Sequence, residues 1–184
     1  MYQPHLRSAI SVHGVPSVQM TGSPAANPSA IVMPKFNIIS QFVKDISFES
    51  PNVPELFFKQ DNGQAKIEIN IDINIKGAEN NLFMVDLITK VHSKLEQGDK
   101  TIFMIESTYT GMVQYEEKDE EAKKKTLLID VPTLLFPSVR SLVTRLTSES
   151  GFPAFVMQPV DFAALYEQRQ NAIKQNAETK PANE

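Results

Sequence analysis

Four carboxylates have a spacing at which two acidic side chains can act together: Asp45 lies four residues before Glu49, and Glu68 lies four residues before Asp72. Two carboxylates can serve as general acid and general base, but only in a cleft that raises the pKa of one of them. Both pairs fall where polar and apolar residues alternate, which predicts the water-facing side of a strand. There both carboxylates stay ionised and create negative potential, so the sequence does not favour an enzyme.

Other residue types offer little support for metal, nucleotide or covalent chemistry. The sequence has no cysteine, which excludes disulfides, thiolate ligands and a thiol nucleophile. Of the three histidines, His5 and His13 lie near the N-terminus and His92 lies in a predicted strand, so no two share a metal-ligand spacing on an ordered element. The seven glycines form neither a phosphate-binding loop nor a dinucleotide fingerprint. We expect no cofactor.

The strongest structural signal is the unbroken alternation of isoleucine with polar residues between Lys66 and Lys76. Successive side chains of a strand point to opposite faces of a sheet, so this pattern predicts a strand with one apolar and one water-facing side. The isoleucines are Ile67, Ile69, Ile71, Ile73 and Ile75, and the polar residues between them are Glu68, Asn70, Asp72 and Asn74.

Two other predicted strands repeat this alternation and widen the water-facing side. In the first, Asp45, Ser47 and Glu49 share one parity, whereas Phe42, Ile46 and Phe48 have the other. In the fourth, Met104 and Glu106 alternate with Phe103 and Ile105. We therefore expect an acidic sheet face that remains open to a partner, and a basic partner suits it best.

The elements predict an α+β fold, with a four-stranded antiparallel sheet and two C-terminal helices packed on one face. The strands are predicted over Phe36–Phe48, Lys66–Lys76, Leu82–Lys94 and Thr101–Val113. Connections of hairpin length indicate a meander.

Apolar residues recur at spacings of three and four from Leu127 to Leu146, which is the pattern of an amphipathic helix. Pro137 is expected to divide this helix, because proline lacks the N–H that a helix interior requires. Gly151 is the expected stop. A second helix is predicted to begin at Asp161, a suitable N-cap, and to end near residue 172.

The length of 184 residues suits one domain with a substantial core. Residues 1–34 hold five of the twelve prolines and no sustained apolar period, so we interpret them as a disordered extension. The folded domain would then span residues 35–172, followed by a flexible tail over residues 173–184. The longest apolar runs fall short of the roughly 20 residues that cross a bilayer, so we expect no direct membrane insertion. The net charge of −4 opposes nucleic-acid binding.

The crossover between the first two strands, Pro51–Gln64, carries three large apolar residues: Leu56, Phe57 and Phe58. Such residues either attach a loop to the core or line a binding groove. Composition leaves both alternatives open.

Three blocks of the sequence resemble the signature segments of SecB, the bacterial protein-export chaperone. They are Lys44–Pro54, Leu135–Arg140 and Gly151–Tyr166, and they follow the family's order at suitable separations. The sequence departs from the family at Asp61, where some relatives carry an aromatic residue, and at Ser138, which replaces a common aromatic residue.

The resemblance implies a cytoplasmic holdase that keeps preproteins unfolded and delivers them to the SecA motor, with no nucleotide or metal of its own. It also implies a homotetramer, built as a dimer of dimers. In the family SecA binds the exposed sheet face, and the matching residues are Asp45, Glu49, Met104 and Glu106.

The family's client groove lies between the crossover loop and the second helix. Phe57 and Tyr166 match positions in that groove, and we add Leu56 and Phe58 from the composition of the loop.

Two other functions stay open. A SecB-like chaperone dedicated to an antitoxin would share the fold and the groove but need no SecA contact; Asp45, Glu49 and Glu106 argue against it. A domain that binds a small ligand would instead be a monomer with an enclosed pocket.

Overall fold

The computed structural model describes residues 36–58, 63–77, 79–96, 100–116 and 118–178. The predicted extension, residues 1–34, lies outside the described residues, as do residues 179–184.

The strands are β1 (Phe36–Glu49), β2 (Ala65–Gly77), β3 (Leu82–Leu95) and β4 (Thr101–Tyr115). The helices are α1 (Glu55–Phe58), α2 (Glu120–Lys125), α3 (Val131–Glu149) and α4 (Phe162–Glu178), and a π-helical turn, Thr126–Asp130, joins α2 to α3. Helix α4 therefore continues beyond residue 172, where the sequence predicts its end.

The four strands form one antiparallel sheet in the order β1-β4-β3-β2. The meander is confirmed for β2, β3 and β4, but it is wrong for the first connection, because β1 pairs with β4 and not with β2. That connection, residues 50–64, includes α1 and is too long for a hairpin. It crosses the end of the sheet at which β4 begins, and it leaves β1 and β2 at opposite edges.

The apolar face of the sheet packs against α3, and we call it the inner face. The isoleucines of β2 pair with the buried odd-numbered residues of β3, so they lie on the inner face as predicted. Helix α3 buries one side chain every four residues against it: Val131, Leu135, Val139 and Val143. Burying a side chain of this size stabilises the fold by about 1.5–3 kcal/mol. Gly111 of β4 makes the close packing possible, since a Cβ there would lie 3.1 Å from the methyl carbons of Leu135.

Strand β1 keeps the predicted parity only near its C-terminal end. Register shifts occur between Ile38 and Ser40 and between Val43 and Asp45. Each such bulge inserts one extra residue and reverses the alternation on its far side. Phe42 therefore points to the face opposite that of Ile46 and Phe48, contrary to the prediction, and it is 40% exposed.

Pro137 does not divide α3, contrary to the prediction. The helix runs without interruption from Val131 to Glu149. Pro137 cannot donate a hydrogen bond to the carbonyl of Thr133, but its neighbours Phe136 and Val139 are buried in the core. Tertiary packing thus outweighs the missing hydrogen bond, and the irregular turn lies earlier, in the π-helical segment.

The ends of the helices follow the sequence signals. Gly151 adopts a φ of +84° after α3, where its amide bonds the carbonyl of Ser148 and the next amide bonds that of Thr147, as in a Schellman motif. Asp161 accepts a hydrogen bond of 2.9 Å from the amide of Ala164, which confirms it as the N-cap of α4.

One helical run of the described residues, Glu120–Glu149, is long and apolar enough to cross a membrane by length and composition alone. Of its most apolar 18-residue stretch, 44% is buried in the fold. The run is longer than the sequence suggests because the break expected at Pro137 is absent. A helix that packs against a sheet core passes the same test, and α3 is such a helix.

Candidate functional site

The four residues predicted to bind SecA lie together on the outer face of the sheet, opposite α3. The register pairs Glu49 with Met104, and it pairs Ser47, which lies between the two β1 carboxylates, with Glu106. Directly paired residues of antiparallel strands point to the same side, and Asp45 shares the parity of Ser47 and Glu49. The common face is therefore observed, whereas the role of these residues in SecA binding stays a prediction.

The outer face is less acidic than the sequence suggests, because lysines lie among its carboxylates. These lysines are Lys44, Lys66, Lys76, Lys90 and Lys94. Lys90 Nζ lies 2.9 Å from Glu106 Oε1, and Lys66 Nζ lies 2.9 Å from Glu68 Oε1. The hydrogen bond from Lys66, together with its charge, lowers the pKa of Glu68. The carboxylates of β1 consequently have fewer lysines around them than those of β2.

A buried carboxylate lies on β3 in the middle of the outer face. Asp86 is 3% exposed and accepts hydrogen bonds of 2.8 Å from Lys44 Nζ and 2.6 Å from Thr110 Oγ1. Burial acts to raise its pKa, but these bonds and the charges of Lys44 and Lys76 outweigh burial and hold the pKa below its ordinary value of 3.8. Lys44 thereby links β1, at its second bulge, to β3 across β4.

The crossover loop places its three apolar residues in different environments. Leu56 is 5% exposed and attaches the loop to the core, whereas Phe57 is 49% and Phe58 81% exposed. The ring of Phe57 lies 5.2 Å from that of Phe152, which follows α3, and Phe152 in turn contacts Phe103 of β4 at 5.4 Å. The loop is thus held at one end, while its two phenylalanines offer apolar surface to solvent.

Tyr166 lines a separate open cleft of about 300 Å³ between α4, the π-helical turn and β2. Ile73, Leu128 and Arg169 also line it, and Lys124 Nζ lies 6.0 Å from the centre of the Tyr166 ring. No crossover-loop residue is among the lining residues in the part of the chain that the structure describes. The structure therefore does not bring Phe57 and Tyr166 into one enclosed pocket.

The inner side of β2 connects these two regions. Phe103, in the aromatic cluster, lies in the same row of the sheet as Ile67, whereas Ile73 lines the Tyr166 cleft. Between them Ile69 is 45% exposed. Six strand residues span about 20 Å, so this side of β2, which we call the β2 groove, is long enough for an extended segment.

A third surface, which sequence reasoning missed, lies at the opposite edge of the sheet. A cleft of about 490 Å³ separates β1 from α3 and is lined by Phe42, Val43, Tyr109, Pro137 and Leu142, among others. We call it the β1–α3 cleft. An edge strand with apolar side chains beside an accessible helix is a candidate interaction surface. The signal was present in the apolar residues of β1, but the bulges that expose them were not predictable from parity.

Two charged contacts were also missed. Asp86 interrupts the apolar run Leu82–Ile88, and an acid in such a run indicates a buried partner. Arg169 of α4 donates to the carbonyl of Ile71 at 2.9 Å, and the same nitrogen lies 2.7 Å from Asp72 Oδ1. Arg169 and Ile71 are 98 positions apart, and no local pattern could have joined them.

Among the described residues, no group of three or more His, Cys, Asp or Glu side chains could hold a metal ion.

Comparison with known proteins identifies the family. The family model described as preprotein translocase subunit SecB matches residues 30–173. The chain belongs to the SecB family. Protein-export protein SecB of a Bradyrhizobium strain is 35% identical, over 89% of this chain and 100% of its own length. That of Rhodopseudomonas palustris is 36% identical with the same coverage, and that of Caulobacter vibrioides is 36% identical over 72% of this chain and 79% of its own length.

A SecB-like chaperone of Mycobacterium tuberculosis, solved in complex with a peptide from the HigA1 antitoxin, has the same fold. It superposes with a TM-score of 0.58 and 14% identity, over 68% of this SecB-family chain and 91% of its own. The resemblance seen in the sequence and the α+β fold class are both confirmed.

Proposed function

We propose that this SecB-family chaperone of protein export holds preproteins unfolded in the cytoplasm and delivers them to SecA, without catalysing a reaction. The observation that carries the proposal is the match to protein-export relatives over their whole length. The exposed surfaces of the sheet supply a site for each step.

Client binding is supported by the apolar side chains that line the β2 groove and its two ends. Phe57, Phe58 and Ile69 are between 45% and 81% exposed, and Tyr166 lies at the far end. Aromatic side chains offer a large contact area with few rotatable bonds. A row of isoleucines suits an extended segment that inserts alternate side chains, whatever its sequence.

SecA binding is supported by the acidic β1 side of the outer face. Asp45 and Glu49 lie on an edge strand, with Glu106 on the neighbouring strand. Exposed carboxylates attract a basic segment and speed its arrival. Met104, paired with Glu49, adds a flexible apolar contact.

The homotetramer, a dimer of dimers, is supported by exposed apolar residues of β1, two of which line the β1–α3 cleft. Phe42, Val43 and Ile46 are between 39% and 43% exposed on an edge strand, and a second copy at this edge would cover them. Leu134 of α3 is 54% exposed and provides a further apolar patch for the second type of contact.

Reversing two carboxylates tests the SecA site. Glu49→Lys together with Glu106→Lys should weaken SecA binding about tenfold at low salt, because each lost exposed ion pair contributes about 0.2–1 kcal/mol. Calorimetric titration measures the affinity. Glu68→Lys with Glu79→Lys makes the same charge change outside the predicted site and should leave the affinity close to wild type. Added salt should weaken the wild-type complex.

The assignment is wrong if the double reversal and its control bind SecA equally well. Capture of unfolded preprotein by a wild-type chain that does not bind SecA would instead favour a chaperone dedicated to a particular client.

Two aromatic substitutions test the client site. Phe57→Ser with Tyr166→Ser should reduce capture of an unfolded preprotein several-fold, because the groove loses an aromatic contact at each end. Suppression of preprotein aggregation measures capture, and sedimentation should show an unchanged assembly. Undiminished capture would mean that these rings serve only to pack the fold.

A further inference from the structure

Strand β2 lies at an edge of the sheet, so half of its backbone groups point away from its neighbour. Within the described residues it has a single neighbour, β3. In an antiparallel ladder, residues that bond to the neighbour alternate with residues whose N–H and C=O point away from it. The carbonyl of Gln64 accepts from the amide of Glu96, so even-numbered residues bond towards β3. The isoleucines therefore present both their backbone groups at the free edge and their side chains in the β2 groove.

Arg169 closes this edge at one point. One of its guanidinium nitrogens donates to the carbonyl of Ile71 and also bonds Asp72 Oδ1. Asp72 points to the outer face, so the guanidinium crosses the edge from the α4 side to the outer side. The side chains of Arg169 and Asp72 are 40% and 54% exposed, so the contact is accessible to a competing strand.

The two halves of the edge differ on either side of this contact. Beyond Ile71, α4 lies beside β2, because Ile73 lines the same cleft as Tyr166 and Arg169. Before Ile71, Ile69 is exposed on the side that leads to the crossover loop. An added strand would meet Arg169 at Ile71, so it would pair most readily with the half from Ala65 to residue 70, where Ile69 is exposed.

We propose that Arg169 determines how client segments bind: it caps the Ile71 carbonyl and confines strand addition to the Ala65–Asn70 half of the β2 edge. The occupant is an extended client segment, whose apolar side chains continue into the β2 groove. The inference rests on the proposed chaperone function and specifies the geometry of its client site.

Cross-linking tests this placement, because the natural chain has no cysteine and a single introduced thiol reports on one position. Glu68→Cys and Asn74→Cys lie on β2 on either side of the cap, and both native side chains are exposed. The probe is a synthetic peptide of alternating valine and threonine with one central cysteine. With Arg169 present, disulfide formation is expected at position 68 and several-fold less at position 74.

Removing the cap should reduce the difference between the two positions. Arg169→Gln in each cysteine background should raise the yield at 74 several-fold, and Asp72→Asn should raise it in part. Lys174→Gln removes a positive charge from an exposed position on the same helix and should leave the preference intact. Equal yields with Arg169 present, an unchanged preference after Arg169→Gln, or no cross-link at either position would overturn the proposal.

Capture of an unfolded preprotein, measured in parallel by suppression of aggregation, separates this proposal from the proposed function. If the protein captures preprotein normally but shows no cross-linking preference, the proposed role of Arg169 is wrong and the chaperone function stands. If it shows the preference but captures no preprotein, the chaperone function is wrong and the capping role of Arg169 stands.

Discussion

Asp86 occupies a position where a charge is unfavourable unless it is paired. It is almost fully buried, yet its oxygens accept bonds from Lys44 and Thr110, and its pKa is lowered despite burial. Because Lys44 stands at the second bulge of β1, this contact holds the strand at the point where its register shifts. The residues that follow, including Asp45, then lie in phase with the outer face.

Replacing Asp86 with asparagine should lower the free energy of unfolding by about 1–3 kcal/mol, because Lys44 loses its charged acceptor. Urea unfolding at neutral pH measures the change. Glu106→Gln is the matched control, since it makes the same substitution in an ion pair whose two side chains are more than half exposed. It should change stability by no more than about 0.5 kcal/mol. Equal effects would contradict a structural role for Asp86.

The same substitution has an expected pH dependence. The pKa of Asp86 is lower in the folded protein than its ordinary value, so ionisation stabilises the fold. That contribution is complete above the pKa of the unfolded chain and disappears as the pH falls through the folded pKa. The stability difference between wild type and Asp86→Asn should therefore be constant from neutral pH to about pH 5 and shrink below about pH 4. Urea unfolding over this range measures it; a difference undiminished at about pH 2 would contradict the assignment.

At the scale of elements, local patterns predicted the strands well. The isoleucine alternation indicated Lys66–Lys76, and β2 spans Ala65–Gly77. The partner of β1 was not predictable in the same way, because the choice between β2 and β4 depends on how a long crossover travels over the sheet. The break predicted at Pro137 is absent for a related reason: the low helix propensity of proline is outweighed by the burial of its neighbours.

In the candidate site, too, the features of a single strand were predictable from the sequence, whereas contacts between elements were not. Parity alone placed Asp45, Glu49, Met104 and Glu106 on one face, since alternation is a property of each strand by itself. The environments of the crossover-loop residues were predicted less well, because the burial of Leu56 depends on where the loop docks. The lysines of the outer face were visible in the sequence, but their pairing with carboxylates required the register between strands.

Gly151 provides a test of how α3 ends. Gly151→Ala should destabilise the fold by about 1–2 kcal/mol, because its φ of +84° is unfavourable for a residue with a Cβ. The new Cβ would also lie 3.3 Å from the Phe57 ring, so the crossover loop would shift. Thermal unfolding measures the change, and Gly77→Ala, where the nearest atom is 3.8 Å away and φ is not positive, is the control. Equal losses in the two variants would contradict a special role for the α3 terminus.

At the scale of the whole molecule, the exposed large apolar residues of the described chain lie mainly on β1 and in the crossover loop, with Ile69 on β2. Strand β2 carries the groove, with its backbone capped at one point by Arg169, whereas β1 carries apolar side chains next to α3. We expect the two edges to serve different purposes, one for clients and one for assembly.

Val43→Glu should test the assembly edge. If β1 forms the contact between copies, a carboxylate at this position would have to be desolvated there, so the proposed tetramer should dissociate into smaller species. Sedimentation velocity at low micromolar concentration measures the assembly state. Val156→Glu makes the same change at a similarly exposed residue outside the β1–α3 cleft and should leave the tetramer intact. A tetramer that survives Val43→Glu would show that β1 does not form the contact.

The π-helical turn sets the rotational phase between α2 and α3. Each helical residue turns the chain by about 100°, and a π-helical turn accommodates one more residue than an α-helical one. Helix α2 is consequently rotated with respect to a plain extension of α3, and Lys123 and Lys124 lie over the rings of Phe83 and Tyr166. Deleting one residue from Thr126–Asp130 would turn these ammonium groups away, with every side chain of α3 left in place. The number of residues in the π-helical turn thus determines the direction in which Lys123 and Lys124 point relative to α3, and with it the position of the Lys124 charge at the rim of the Tyr166 cleft.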